Sequence, residues 1–188
     1  AEASGLRAVL TALTYGLSAL MIPFPYVLAC AVIDFGAERA GQRWLKGLVP
    51  SRSPWTYAGT IGAIVLSQLA FCTMLALTYQ VETPLAQAYA AGVMTLTLLQ
   101  MASIRVIHLP YAAAGLVTSF IVALIAVTYD WQSRSGPAGL MFSYVALTAA
   151  AYFIYAIVQS NHNLHAGIAR ERAAAKVADL AKSRFLAQ

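Results

Sequence analysis

Few side chains in this 188-residue chain combine the type and the spacing that chemistry requires. His162 and His165 stand three apart and would share one face of a helix, the first half of a metal or haem site, but no third ligand lies nearby. They read as solvated polar residues just past an apolar stretch. His108, two residues before Pro110 and close to Arg105, reads as a lipid-headgroup contact rather than a catalyst. Cys30 and Cys72 each sit inside an apolar run, where a cysteine acts as a small hydrophobe. The remaining candidates are hydroxyls and amides within apolar runs: Ser67, Gln68, Gln87, Thr95, Thr97, Gln100, Thr118, Ser119 and Thr148. Their ordinary role is to hydrogen-bond between helices, and their sharper role would be to line a ligand pocket. The chain carries no Gly-rich phosphate loop, no nucleophile elbow and no zinc spacing, so no catalytic, phosphoacceptor or metal residue is assigned to it.

The elements that must position these groups are set by composition. Sixty per cent of the residues are hydrophobic and 10% charged, and the mean hydropathy is +0.69, against about 45–50% apolar and about 25% charged in soluble domains. A water-soluble domain is excluded on those grounds. The expectation is an all-α membrane protein, a bundle of five transmembrane helices over residues 1–160 followed by a cytoplasmic signalling helix over 161–188. The spans are expected at about 8–33, 56–79, 84–104, 110–129 and 140–160, each close to the ~20 residues that cross a ~30 Å hydrocarbon core. The first contains Pro23-Phe24-Pro25 and is read as one bent helix, a re-entrant hairpin being the alternative. Pro84 and Pro110 stand at helix starts, where a missing N–H costs nothing. Trp55, Tyr57, Tyr79, Tyr129 and Trp131 gather at span ends, as amphipathic rings do at the headgroup layer.

Orientation follows from the cations. Arg39, Arg43, Lys46 and Arg52 lie in the segment from Asp34 to Trp55, Arg105 in the third-to-fourth turn, and Arg170, Arg172, Lys176, Lys182 and Arg184 in the tail. These ten of the twelve Lys and Arg residues fall on one side, which the positive-inside rule makes cytoplasmic; Arg7 and Arg134 fall on the other. The net charge of +5 is therefore topology, and no nucleic-acid partner is expected. Between their ends the five spans hold no Asp, Glu, Lys, Arg or His, which argues against proton or ion coupling. Ala58 and Gly62, Ala86 and Ala90, and Ala146 and Ala150 are small pairs at four-residue spacing that would allow close helix approach.

After the fifth span, Asn161 to Asn163 and Gly167 are where a helix would bend, and Ala166 to Gln188 is rich in helix formers. Ala174, Val177, Ala178, Ala181 and Phe185 fall on one side of that helix in a heptad-like seam. Arg170-Glu171-Arg172-Ala173-Ala174-Ala175-Lys176, then Ala181-Lys182-Ser183-Arg184-Phe185-Leu186-Ala187, resembles the lead-in to the dimerisation and phosphoacceptor helix of bacterial sensor histidine kinases. In that family a stretch of the type Ala-Lys-Ser-x-Phe-Leu-Ala directly precedes the box carrying the phosphorylated histidine. Ala181, Lys182, Ser183, Phe185, Leu186 and Ala187 match it, and Gln188 stands where the family often has Asn. None of the three histidines of this chain matches the phosphoacceptor.

The resemblance implies a segment of a longer protein, the inner-membrane input region of a two-component, possibly hybrid, kinase with its C-terminus in the cytoplasm. ATP and Mg would belong to the parent kinase domain and no cofactor to this segment. The implied partners are the lipid bilayer, a second copy, and a response regulator or receiver domain. An unbroken helix from the last span into the tail would carry a tilt, rotation or shift to the kinase. Two other classes fit the spans: a small transporter or channel subunit, and a passive anchor that only dimerises an enzyme.

Overall fold

The computed structural model describes residues 2–51, 53–104, 109–134 and 136–186, and the elements along them are α1 (Glu2–Ser18), α2 (Phe24–Ser51), α3 (Pro54–Tyr79), α4 (Pro84–Ile104), α5 (Leu109–Arg134) and α6 (Gly136–Leu186). There is no strand among the described residues. Four stretches are long and apolar enough to cross a membrane: Pro54–Tyr79, Pro84–Ala102, Pro110–Asp130 and Gly136–Ala178. They cover the expected second to fifth spans, the last stretch running on past residue 160 to Ala178, and the molecule has the character of an all-α membrane protein. Proline opens α3 at its first turn after Ser53, and Pro84 opens α4, as the redundant N–H of a first turn allows. Between α5 and α6 the chain turns at Gly136, whose φ of 68° is one that only glycine adopts without strain.

The first apolar run departs from expectation. It is two helices, because Pro23 cannot donate to the turn before it and excludes Ile22 from helical geometry. The chain leaves α1 through turn hydrogen bonds to the carbonyls of Tyr15, Leu17 and Ser18, then restarts at Phe24 with Pro25 tolerated in the new first turn. The second departure is larger. Beyond Ile33 the chain does not become a loop: α2, 28 residues in all, continues to Ser51.

This helix lies antiparallel along α3. Val27 packs with Met74 and Leu75, Asp34 bonds Ser67, and the approach of Gly41 to Ala63 is so close that a Cβ on Gly41 would stand 3.1 Å from that of Ala63. At the far end the Trp44 indole covers Gly59, where an added Cβ would come within 2.9 Å of the ring. From Val27 to Trp44 the two helices run together for about 25 Å at ~1.5 Å per residue. The residues α2 turns inward, Val27, Cys30, Asp34, Ala37 and Gly41, follow a 3-4-3-4 spacing that is small apart from one carboxylate.

α3 is the central helix, buried on several sides at Thr60, Ala63, Ser67, Gln68, Ala70, Cys72, Met74, Leu75 and Thr78. Two apolar clusters form around it. Tyr15, Ile22, Val27, Met74 and Leu75 join α1 to α2 and α3, while Leu98, Met101, Ala102, Leu116 and Ile154 join α4, α5 and α6. α6 flanks the bundle: it touches α4 and α5 through Ile154, Ile157 and Val158, and exposes Met141, Val145, Tyr152, Phe153 and Tyr155. Of the small pairs, Ala86 and Ala90 are buried at a helix contact, whereas Gly62 has open space around it.

Candidate functional site

Asp34 is the centre of the described polar structure. It is 5% exposed; Ser67 Oγ donates to one carboxylate oxygen at 2.5 Å, and the Tyr15 hydroxyl donates to the other at 3.0 Å. Ser67 lies 13 residues from Pro54 and 12 from Tyr79, so the carboxylate stands at the middle of the central apolar helix. A buried ionised group requires such donors, since leaving it unsatisfied costs several kcal/mol. Tyr15 is fixed in turn by Phe35, at 5.9 Å between ring centroids, and by Phe71, edge-on at 5.9 Å.

A second polar chain continues from the adjacent residue of α3. The Ser119 hydroxyl is shared between the Gly115 carbonyl at 2.9 Å and Gln68 Oε1 at 3.5 Å, and Cys72 Sγ donates to Ser119 Oγ at 3.4 Å. Gln68 is 4% exposed, and its amide nitrogen meets no acceptor among the described residues. Both chains border one cavity of about 570 Å³ between α1, α2, α3 and α4. Its floor carries Asp34, Ser67 and Gln68, with Glu38 one turn along α2; its walls are Phe71, Tyr89, Val93, Thr97, Gln100 and Met101; and Leu10, Leu13, Leu17 and Leu96 form an apolar rim. Tyr89 donates to the Thr14 carbonyl at 2.9 Å, tying α4 to α1 across the cavity.

Of the polar residues singled out in the sequence, Ser67, Gln68, Thr97, Gln100 and Ser119 come together here, the first four lining the cavity and Ser119 behind it. Thr95, Thr118 and Thr148 instead donate to the carbonyl four residues back on their own helices, as does Thr97. Asp34 was missed, because it was read as the start of a cytoplasmic connection. The signal was present: no proline interrupts the chain between Pro25 and Pro50, and Asp34 and Glu38 at i and i+4 share a face. The five expected spans hold no ionisable group, but Asp34, one residue past the first of them, is buried within the bundle.

His162 and His165 are exposed on α6, and no group of three His, Cys, Asp or Glu comes together among the described residues. In the tail, Ala174, Val177 and Ala178 are exposed on the helix. The side chains of Ala181, Lys182, Ser183, Phe185 and Leu186 lie outside the described residues, though their backbone is helical. Arg52, Arg105, His108, Ala187 and Gln188 lie outside them altogether. Where bends were expected, at Asn161 to Asn163 and Gly167, α6 is continuous, and Asn161 Nδ2 donates to the Ala102 carbonyl of α4 at 3.4 Å.

Met101 lines the cavity and also packs in the cluster that holds Ile154. Comparison with known proteins finds no matching family model, curated relative or solved structure.

Proposed function

We propose that this chain is the membrane-embedded input module of a sensor histidine kinase, biasing ATP-dependent autophosphorylation and phosphorelay by domains beyond residue 188. The observation that carries this reading is α6: 51 residues of unbroken helix, about 76 Å at ~1.5 Å per residue, running from the bundle into the stretch that resembles the kinase lead-in. Its N-terminal half packs on α4 and α5 through Ile154, Ile157 and Val158 and leaves its other side exposed, and the proposed relay has it shift against them. Met101 supplies the contact through which a change in the cavity would move it. A ligand shifts such an equilibrium only by its difference in affinity for the two bundle states.

In this reading α3, α4, α5 and α6 cross the bilayer, and α2, which lies along α3, is taken as a fifth crossing. On the same reading Asp34 lies within the bilayer, and the Lys and Arg distribution supports a cytoplasmic side of the inner membrane for the C-terminal ends of α2 and α6. The functional unit is a homodimer joined through the tail seam, with a response regulator or receiver domain as the downstream partner.

A second reading is favoured by Asp34 itself, since carboxylates at depth mark ion and substrate pathways: a small transporter or channel subunit. One experiment separates these readings from a passive anchor. Residues 1–188 are joined to the catalytic domains of a characterised histidine kinase, and one to four alanines are inserted after Gly167. A relay through the helix makes autophosphorylation rise and fall with the ~3.6-residue turn. Activity indifferent to the insertions supports the anchor, and solute flux in proteoliposomes supports the transporter.

A further inference from the structure

At the floor of the cavity Asp34 is already engaged, Ser67 donating to one oxygen and Tyr15 to the other. Around it the hydroxyls of Thr14, Tyr89 and Thr97 donate to backbone carbonyls. Gln68 differs: its Oε1 accepts from Ser119, while its amide nitrogen meets no acceptor among the described residues, although the residue is only 4% exposed. That nitrogen is not sealed within protein, so the surface it keeps opens onto the cavity that Gln68 lines. A donor left unmet away from water is costly, and an occupant that brings an acceptor to it is favoured. Leu13 and Leu96 at the rim are 58% and 66% exposed, so the opening between α1 and α4 faces the surroundings of the bundle through leucine side chains. In a bilayer such an opening admits molecules already dissolved in lipid. At about 570 Å³ the space lies within the ~300–1,000 Å³ of ordinary small-molecule pockets, which pair an apolar lining with a few placed polar groups.

We propose that this cavity binds a neutral lipophilic carbonyl compound, entering from the bilayer between α1 and α4, with its oxygen accepting from the Gln68 amide and its apolar body against Phe71, Val93 and Met101. Neutrality follows from the route, since an ion crosses hydrocarbon only at great cost. The esters of membrane lipids carry the same acceptor but sit at the headgroup boundary. Gln68 lies 14 residues from Pro54 and 11 from Tyr79 along α3, about 21 and 16 Å from the two ends at ~1.5 Å per residue, so a freely dissolved molecule reaches it more readily. A body against Met101 also meets the cluster that holds Ile154 of α6. What that contact serves rests on the sensor reading; the binding itself does not.

The test places the chain in nanodiscs of ester-linked or ether-linked phosphatidylcholine and photolabels it with benzophenone, a diaryl ketone that inserts into nearby C–H bonds. Two competitors of similar shape, dicyclohexyl ketone and dicyclohexylmethane, differ in the carbonyl. Saturable labelling of α4 between Val93 and Met101 is expected in both lipids, displaced about tenfold better by the ketone than by the hydrocarbon. Gln68→Leu removes the donor and should abolish that preference. Ser119→Ala removes the partner of Oε1 but leaves the amide nitrogen, and should preserve it. Val93→Trp fills the space from α4 and should abolish labelling; circular dichroism verifies that the variants fold. Labelling that does not saturate, or that survives Val93→Trp, overturns the site. Equal displacement by ketone and hydrocarbon, or a preference that survives Gln68→Leu, overturns the assignment to a carbonyl. Saturable labelling in ether-linked lipid alone shows lipid esters holding the site and overturns a freely dissolved ligand. Saturable binding that leaves autophosphorylation of the kinase fusion unchanged overturns the sensor reading alone.

Discussion

Tyr15 and Asp34 are 19 residues apart in the chain, yet the tyrosine hydroxyl donates to the carboxylate at 3.0 Å. One continuous helix would hold them about 28 Å apart along its axis. The bond therefore records the fold-back at Pro23, and it lets α1 supply one of the donors that a carboxylate in the middle of the bundle requires. Ser67 supplies another.

Removing these donors should destabilise the bundle in a coupled way. Tyr15→Phe is expected to cost about 1.5–3 kcal/mol, the range for a hydrogen bond to a charged group, and Ser67→Ala a similar amount. Because both act on one carboxylate, the double variant should depart from the sum of the singles by more than about 0.5 kcal/mol. Denaturation midpoints of the four proteins in one detergent decide the matter; simple additivity would show that the two bonds are independent.

At Gly115, α5 lies close against a side chain of α4, since an added Cβ would lie 2.5 Å from Met101 Sδ. Gly115→Ala should lower stability by about 1 kcal/mol, the mild end of overpacking, because a thioether can swing aside. Shortening the obstructing side chain in the same protein, Gly115→Ala with Met101→Ala, should then cost less than the two changes summed. A double variant no better than additive would place the strain elsewhere.

The two cysteines should differ in reactivity. Cys72 has no exposed surface, while Cys30 is half-buried. A membrane-permeant maleimide is expected to modify Cys30 first and to reach Cys72 only after denaturation. Equal labelling of both thiols in the folded protein, read by intact-mass spectrometry, would contradict the enclosure of Cys72 within the bundle.

The reach of α6 can be measured directly. Spin labels at Ala149→Cys and Ala178→Cys, both at exposed positions of the helix, are 29 residues apart and should report about 44 Å between backbone sites. Labelled protein is diluted with unlabelled chain, in a background lacking Cys30 and Cys72, so that only distances within one chain contribute. A narrow distribution near that value fits a continuous rod; a short, broad one would place a hinge at Asn161 to Gly167. Ala166→Pro should broaden the distribution, since proline breaks the helical hydrogen-bond ladder.

Much of the architecture was legible in the chain because bilayer-crossing helices are specified locally. The stretches 56–79, 84–104, 110–129 and 140–160 recur as helices with nearly the expected starts, since an apolar run of ~20 residues and a proline at its first turn are properties of neighbouring residues. The cavity was only half legible. Ser67, Gln68, Thr97 and Gln100 could be named as polar groups in apolar surroundings, but no rule of spacing says that residues from α3 and α4 face the same space.

Asp34 marks where tertiary structure decides. A carboxylate at the edge of an apolar run, followed by Glu38 and Arg39, has the local character of a membrane boundary, and hydropathy ends the span there. What carries it inward is α3, whose Ser67 offers a donor at the depth the carboxylate reaches, together with the fold-back at Pro23 that delivers Tyr15. Composition and period determined that the chain is a helical membrane bundle, because burial of apolar surface is paid residue by residue. Only packing decided that a carboxyl group sits at its centre, because the free energy of burying it depends on donors supplied from other helices.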